Sequence, residues 1–172
     1  MKSLVFHGNG CTVYNSDGEI VYRIDNYDRK CSNEVFLMDL TGKVLCTLLR
    51  KKLGAFWHWE GYKYNDPKVK NEKPWFQVRK NCKFLKRNSE CQVTMGCYEA
   101  RTSCYRIEGN ALKLALKIVN SEGGVVAEVK QKQSSSGIVL GDDVLSLVVE
   151  PHVDRSLVMA LVAVYGLIGN KM

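Results

Sequence analysis

Apolar and polar positions alternate along most of the chain and predict short β-strands joined by tight turns. The clearest signal is a strand–turn–strand unit that occurs three times, at 12–24, 35–48 and 114–129. In each unit, β-branched and aromatic residues flank a short polar turn that ends in glycine, the residue that best tolerates the positive φ of such turns. The unequal spacing of the units indicates successive hairpins rather than a regular solenoid.

Further strand candidates lie between these units and after the third one. They are 57–59, 62–64, 76–79, 91–95, a hairpin of 105–107 and 112–114 that turns through 108–110, and 144–149. About ten to twelve short strands in one domain predict a sandwich or a closed barrel, because an open sheet of that size leaves its edges unpaired.

The C-terminal segment has a different character. Pro151 stops the last strand, Asp154 is a typical helix cap, and Gly169 ends an apolar run over 156–168. A helix without a polar face is buried either in protein or in a membrane. This run has 13 residues, whereas a bilayer span needs roughly 20. The pattern therefore predicts a helix that is buried inside the β structure.

The length of 172 residues and the hydrophobic share of 45% predict one domain over 1–172 with a single core. The seven cysteines include no CxxC pair, and Met1 is not followed by a signal-peptide pattern. We therefore expect reduced thiols in a cytoplasmic protein, with the membrane surface and the nucleus left open as further locations.

The net charge of +7 is concentrated in one stretch of the chain. Residues 50–87 contain twelve Lys/Arg and three Asp/Glu, a local charge of +9, whereas the rest carries 13 Lys/Arg and 15 Asp/Glu. Such a block attracts nucleic acid, anionic lipid or an acidic protein, and it is equally compatible with a solvated loop face. The candidate lipid- or anion-binding residues are Arg50, Lys51, Lys52, Arg79, Lys80, Lys83, Lys86 and Arg87.

Aromatic residues are interspersed with these charges. Trp57, Trp59, Tyr62 and Tyr64 alternate along strand candidates, a pattern that favours the core for the aromatic rings. The Lys and Arg side chains are different, because charges this dense must mostly face water.

No motif supports catalysis or a bound cofactor. The three histidines are scattered, and the cysteine spacings lack a paired metal-ligand signature. The chain has no Gly-x-Ser-x-Gly elbow, no P-loop and no complete dinucleotide-binding loop. Cys91, Cys97 and Cys104 are expected to be small buried hydrophobic residues rather than metal ligands. The sequence therefore predicts a protein that is not an enzyme and that holds neither a metal nor a cofactor.

The order of these features resembles the LURP-one-related family of plant proteins over nearly the whole chain. The matching segments are SLVF (3–6), GCTVY (10–14), DG (17–18), VYRIDNY (21–27), VFLMD (35–39), Gly42, LLRKKL (48–53), WEG (59–61) and PHVD (151–154) before the apolar helix. The resemblance implies a tubby-like fold, a closed antiparallel β-barrel of about twelve strands around a buried hydrophobic C-terminal helix.

The same resemblance implies a link to plant defence. Tubby-like relatives include phosphoinositide-binding, membrane-tethered regulators and phospholipid scramblases. Members of the family usually carry more residues before the segment that begins at Lys2, so we expect an N-terminal strand to be missing or differently supplied in this chain.

Three functions compete on this basis. The first is a non-enzymatic binding or regulatory module that docks through its basic face on an anionic membrane lipid, such as a phosphoinositide, or on a protein partner. The alternative is a nucleic-acid-binding transcriptional regulator that uses the same face, although no RNA- or DNA-binding module is recognisable. An enzyme or ligand carrier ranks lower, because a barrel filled by its own helix leaves little interior volume. The oligomeric state stays open.

Overall fold

The computed structural model of the chain describes residues 2–7, 10–25, 33–53, 56–63, 73–81, 89–96, 103–110, 115–134, 136–141 and 143–169. These residues form twelve β-strands and one α-helix. The elements are β1 (Lys2–His7), β2 (Gly10–Tyr14), β3 (Ile20–Asp25), β4 (Glu34–Met38), β5 (Val44–Leu53), β6 (Phe56–Lys63), β7 (Phe76–Lys80), β8 (Ser89–Met95), β9 (Ser103–Asn110), β10 (Ala115–Asn120), β11 (Val125–Gln131), β12 (Val144–Val149) and α1 (Arg155–Ile168).

Each strand pairs in antiparallel fashion with the strand that follows it in the chain. In addition, β1 pairs with β12, and the hydrogen-bonded order runs β1-β12-β11-β10-β9-β8-β7-β6-β5-β4-β3-β2. Residues 2–7 supply the strand that lies between β2 and β12. The described residues thus confirm the prediction of a mainly β, antiparallel structure with one C-terminal helix.

This pairing defines two ends of the sheet. Because all neighbouring strands are antiparallel, every odd-numbered strand finishes at one end of the sheet, and every even-numbered strand begins at that end. We call this the basic end, since the final residues of β5 and β7 there include Arg50, Lys51, Lys52, Arg79 and Lys80. We call the opposite end of the sheet the cap end, because β12 finishes there and is followed by Asp154, the residue that caps the helix.

The three predicted hairpin turns are confirmed, and they share one design. The side-chain oxygen of the first turn residue accepts hydrogen bonds of 2.7–3.1 Å from the backbone N–H groups two and four residues later. The turn glycine has a φ between 81° and 88°, a conformation that a side chain would strain. The residue pairs are Asn15 and Gly18, Asp39 and Gly42, and Asn120 and Gly123.

Two predictions for the middle of the chain need correction. The candidates 57–59 and 62–64 belong to one continuous strand, β6, as far as Lys63, and Tyr64 lies outside the described residues. The predicted turn at 108–110 is wrong, because these residues belong to β9. A Cβ on Gly109 would lie 2.3 Å from the carbonyl oxygen of Ala115, so glycine serves close strand approach here rather than a turn. Residues 112–114 lie outside the described part.

The predicted helix is confirmed almost to the residue. Asp154 caps α1 and Gly169 ends it, and every side-chain position from 157 to 166 is buried. Alternate residues of the strands pack around it in one cluster, with Tyr165 and Phe76 among the largest fully buried side chains. The helix therefore forms the centre of the core. Burial of each of its large apolar side chains stabilises the folded state by roughly 1.5–3 kcal/mol.

The cysteines that the structure describes form no disulfide bond. Cys11, Cys46 and Cys91 are buried, and Cys104 is half-buried. The expected role as a small buried hydrophobic residue is confirmed for Cys91, whereas Cys97 lies outside the described residues.

Candidate anion-docking surface

The strand register brings together the predicted basic residues of β5 and β7. Lys51 lies opposite His58, which lies opposite Arg79 on the next strand, so Lys51 and Arg79 share one row of the sheet. Arg50 and Lys52 flank Lys51 at the end of β5, and Lys80 follows Arg79 at the end of β7. These five residues meet at the basic end. Three further candidates lie outside the described residues: Lys83, Lys86 and Arg87.

The charges of this group are available to an external anion. Lys51, Lys52, Arg79 and Lys80 are exposed, and Arg50 is half-buried. Within the described part of the chain, the ion pairs involve other residues, and none joins these five to a carboxylate. Since no described acidic side chain pairs with them, they leave uncompensated positive charge around the basic end, with Lys51 and Arg79 on one face of the sheet and Arg50, Lys52 and Lys80 on the other.

Two aromatic residues stand beside these charges at the start of β6. Phe56 is 69% exposed and Trp57 is 48% exposed. The guanidinium carbon of Arg50 lies 4.6 Å from the centroid of the Trp57 ring, and the Lys52 ammonium lies 5.8 Å from it. Both contacts have cation–π geometry, which holds the cations around the indole. We call Arg50, Lys51, Lys52, Phe56, Trp57, Arg79 and Lys80 the basic–aromatic rim.

The expectation that the aromatic rings belong to the core holds for Trp59 and is wrong for Trp57 and for Tyr62, which is half-buried outside the core cluster; Tyr64 lies outside the described residues. Trp59 is opposite Arg50 and is 5% exposed, whereas Trp57 is opposite Lys52, two residues nearer the end of the hairpin. Because β5 and β6 extend beyond the buried rows of the sheet, the same alternation that buries Trp59 leaves Trp57 in solvent. Phe56 and Trp57 are adjacent, so their side chains occupy opposite faces of one strand. Two successive apolar residues at the end of a hairpin were therefore the sequence signal that could have predicted an exposed ring.

A carboxylate network supports the rim from the outer face of β6. Glu60 accepts hydrogen bonds from the Tyr62 hydroxyl at 2.6 Å and from Gln77 Nε2 at 3.0 Å, and its Oε1 lies 3.2 Å from His58 Nε2. Gln77 Oε1 in turn lies 3.5 Å from a guanidinium nitrogen of Arg79. The network thus links the middle of the sheet to a rim residue.

Burial and the hydrogen bond to Glu60 raise the pKa of Tyr62 to about 12. The hydroxyl therefore stays protonated at neutral pH and remains a hydrogen-bond donor to the carboxylate. The sequence analysis missed this network, although polar residues at 58, 60 and 62 form a stripe with the period of one strand face. Their contact with Gln77, 17 residues away, depends on the pairing of β6 with β7.

The structure describes neither a metal centre nor a membrane-spanning helix. Among the described residues, no group of three or more His, Cys, Asp or Glu side chains is arranged to hold a metal ion. The one helix within the described ranges is too short to cross a bilayer.

The fold and the rim define a mainly antiparallel β protein with a buried C-terminal helix and a basic–aromatic edge. A sequence profile of the family described as LURP-one-related matches residues 1–166. Protein LURP-one-related 3 of Arabidopsis thaliana is 46% identical over an alignment of 179 positions, which covers 100% of this chain and 78% of that protein. Protein LURP-one-related 4 of the same plant is 47% identical over 171 residues, covering 98% and 75%. The chain belongs to the LURP-one-related family.

A solved structure shares the fold of this chain. The X-ray structure of a protein from Arabidopsis thaliana aligns with a TM-score of 0.71 and 14% sequence identity. The alignment covers 97% of this chain and 89% of that protein. At this identity the likeness concerns the arrangement of strands and helix.

Proposed function

We propose that this chain is a non-enzymatic binding module that docks on an anionic membrane lipid, a phosphoinositide, through the basic–aromatic rim. The observation that carries this proposal is the exposure of Phe56 and Trp57 beside Arg50, Lys51 and Lys52. Each basic residue near an anionic bilayer gains roughly 1 kcal/mol. Tryptophan rings prefer the membrane–water interface, so Trp57 adds a second kind of attraction to that of the basic residues.

We further infer that the sheet is a closed, tubby-like barrel. The pairing of β1 with both β2 and β12 supports closure, and the buried helix supports an interior filled by protein. Such a molecule offers its outer surface to a ligand. Membership of the family, which is linked to plant defence, supports a regulatory role in defence at the cytoplasmic face of a membrane.

The surroundings of Trp57 favour lipid over nucleic acid. Proteins that bind single strands stack bases on free aromatic faces, whereas Arg50 and Lys52 already lie over this ring. Phosphates attract the same lysines in either ligand, so charge alone does not separate the two. The cations grouped around an exposed indole match a headgroup layer, where ammonium and guanidinium groups meet phosphates and the ring meets the acyl boundary.

Co-sedimentation with lipid vesicles tests the proposal. Vesicles of phosphatidylcholine alone are compared with vesicles that also contain a phosphoinositide, using wild type and the variant Lys51→Gln/Lys52→Gln. Loss of two charges near the surface predicts about 2 kcal/mol weaker binding, roughly thirtyfold. The matched control is Lys43→Gln/Lys73→Gln, which removes the same charge from exposed lysines away from the rim.

The control variant is expected to bind like wild type, and binding is expected to weaken as salt screens the charges. Equal binding by wild type and Lys51→Gln/Lys52→Gln would rule out docking through the rim. Binding of RNA or DNA in a gel-shift assay with a steep salt dependence, in the absence of vesicle binding, would establish the nucleic-acid alternative instead.

A further inference from the structure

Resting on the docking function proposed above, we infer that Ile138, Val139 and Leu140 form a second, apolar membrane anchor. We call these three residues the apolar tip. They lie in the connection between β11 and β12, and they act together with the basic–aromatic rim to seat the basic end of the sheet on a bilayer.

Hydrogen bonds join the described residues on the two sides of the connection that carries the apolar tip. The backbone N–H of Ser134 donates to the carbonyl of Ile138 at 2.8 Å, and that of Leu140 donates to the carbonyl of Lys132 at 3.0 Å. The hydroxyl of Ser134 accepts from the N–H of Ile138 at 3.1 Å, and Gly137 has a φ of 82°. As in the three predicted hairpin turns, the side-chain oxygen of Ser134 accepts from the N–H four residues later and the turn glycine has a positive φ, so hydrogen bonds hold the described backbone next to the apolar tip.

All three side chains of the apolar tip face water. Ile138 is 66% exposed, Val139 44% and Leu140 51%. Successive side chains of an extended segment point to opposite faces, so a segment lying flat on protein would bury alternate residues. Exposure of three in a row means that the segment projects from the body of the protein. Clustered exposed aliphatic residues mark a site of protein or membrane contact.

Topology places the apolar tip at the same end of the sheet as the rim. β5, β7 and β11 are odd-numbered and end at the basic end, so the connection after β11 lies on the same side as the β5–β6 hairpin. Four strands separate the two hairpins in either direction along the strand order. They therefore stand on opposite sides of one mouth, roughly 20–25 Å apart for strands spaced by about 4.8 Å and tilted as in barrels.

A bilayer is the occupant that fits both contacts. Two protruding apolar sites at this separation suit a broad, flat apolar phase. Aliphatic side chains offer no ring for a base to stack on, which argues against nucleic acid. The exposed charges differ between the two ends of the sheet. The rim brings four exposed cations and one half-buried cation to the basic end, whereas the first and third hairpin turns of the cap end carry exposed Asp17, Glu19 and Glu122, so an anionic surface attracts the basic end more strongly than these turns.

The test compares two apolar pairs of the same composition at opposite ends. Ile138→Ser/Leu140→Ser removes the apolar tip, whereas Ile20→Ser/Leu40→Ser removes residues that are 41% and 66% exposed at the cap end. Binding is measured to phosphoinositide-containing vesicles and, by calorimetry, to water-soluble inositol trisphosphate. Thermal unfolding of each variant verifies that it is folded.

The tip variant is expected to bind vesicles at least about tenfold more weakly at both low and high salt, because apolar insertion is not screened. Its affinity for inositol trisphosphate and the vesicle affinity of the cap-end control are expected to equal those of wild type. Vesicle binding of the tip variant equal to wild type would overturn the second anchor and leave the docking function standing. Failure of wild type itself to bind vesicles would remove both.

Two further results would also overturn the inference. Weaker binding of inositol trisphosphate by the tip variant would mean that the tip acts on the headgroup site and not on the bilayer. A dimer that dissociates on Ile138→Ser/Leu140→Ser substitution, measured by analytical ultracentrifugation, would assign the apolar tip to contact between two copies of the chain.

Discussion

The ammonium nitrogen of Lys63 lies 3.6 Å from Oδ2 of Asp154, so the last residue of β6 contacts the residue that caps the buried helix. The other carboxylate oxygen, Oδ1, accepts hydrogen bonds from the backbone N–H groups of Ser156 at 2.8 Å and Leu157 at 3.2 Å. Lys63 Nζ is also 4.2 Å from the centroid of the Trp75 ring. One carboxylate thus joins the helix start to the cap end of the sheet.

We expect Asp154→Ala to lower the free energy of unfolding by about 1–2 kcal/mol, because the helix loses its cap. Asp154→Asn keeps a side-chain oxygen for the cap and loses only the charge, so its expected cost is below about 1 kcal/mol for a pair this exposed. Urea denaturation followed by circular dichroism measures both. Lys63→Met is the control, because it removes the ion pair and keeps the cap. If it lowered the free energy of unfolding as much as Asp154→Ala does, the cap would not be the main contribution of Asp154.

Strands β6 and β7 lie close together at Gly61, because glycine has no side chain that would meet the ring of Phe76. A Cβ on Gly61 would lie 2.2 Å from Phe76 Cε1, and Phe76 is fully buried. We expect Gly61→Ala to destabilise the protein by about 1–3 kcal/mol through overpacking. Thermal unfolding checks this value, and Gly124→Ala is the control, since its Cβ would meet only the end of the Asn120 side chain at 3.2 Å.

The ring of Phe76 is the specific obstacle, so its truncation should couple to the glycine change. Phe76→Leu alone is expected to destabilise the protein, but in the Gly61→Ala background its cost should fall by at least about 0.5 kcal/mol. Strict additivity of the two substitutions would show that the strain arises elsewhere.

Tyr62→Phe removes one hydrogen bond to the half-buried carboxylate of Glu60. A hydrogen bond to a charged group contributes about 1.5–3 kcal/mol, and we expect a loss of that order in urea denaturation. The comparison is Tyr14→Phe, which removes a hydroxyl for which the described residues show no hydrogen bond.

In a titration monitored by tyrosinate absorbance, Tyr62→Phe should lack the component with a pKa near 12. A titration curve unchanged in that range would contradict the assignment.

Burial raises the pKa of the Cys46 thiol to about 12, above its ordinary value of 9.0. A raised folded pKa means that the folded state holds the proton more tightly than the unfolded state. The stability that Cys46 contributes is therefore complete below about pH 9 and is lost as pH rises toward about 12. Each pH unit in that window costs at most about 1.4 kcal/mol for one group.

Urea denaturation of wild type and Cys46→Ala at about pH 8 and about pH 10 measures this dependence. The variant has no thiol to titrate at this position, so its stability should fall less over the interval. The other thiols are common to both proteins and cancel in the comparison. Equal falls in the two proteins would exclude Cys46 as the source.

Local patterns were sufficient for much of the fold. Turns that begin at Asn15, Asp39 and Asn120 were predictable because the side-chain oxygen and the glycine act within five residues. The buried helix was predictable because its lack of a polar face and its length exclude the alternatives. The turn predicted at 108–110 failed because the same residue, glycine, serves turns and close strand contacts alike.

The candidate site was predictable only as a stretch of charge. The sequence alone determined a mainly β chain, a helix that must be buried and a basic block over 50–87, since each follows from neighbours in the chain. Tertiary structure decided which residues share a surface: Lys51 with Arg79, Glu60 with Gln77, and the apolar tip with the rim at one end. The physical reason is that strand register and strand order arise from pairing between distant segments of the chain. The exposure of Trp57 likewise depends on how far its strand extends beyond the neighbouring strands.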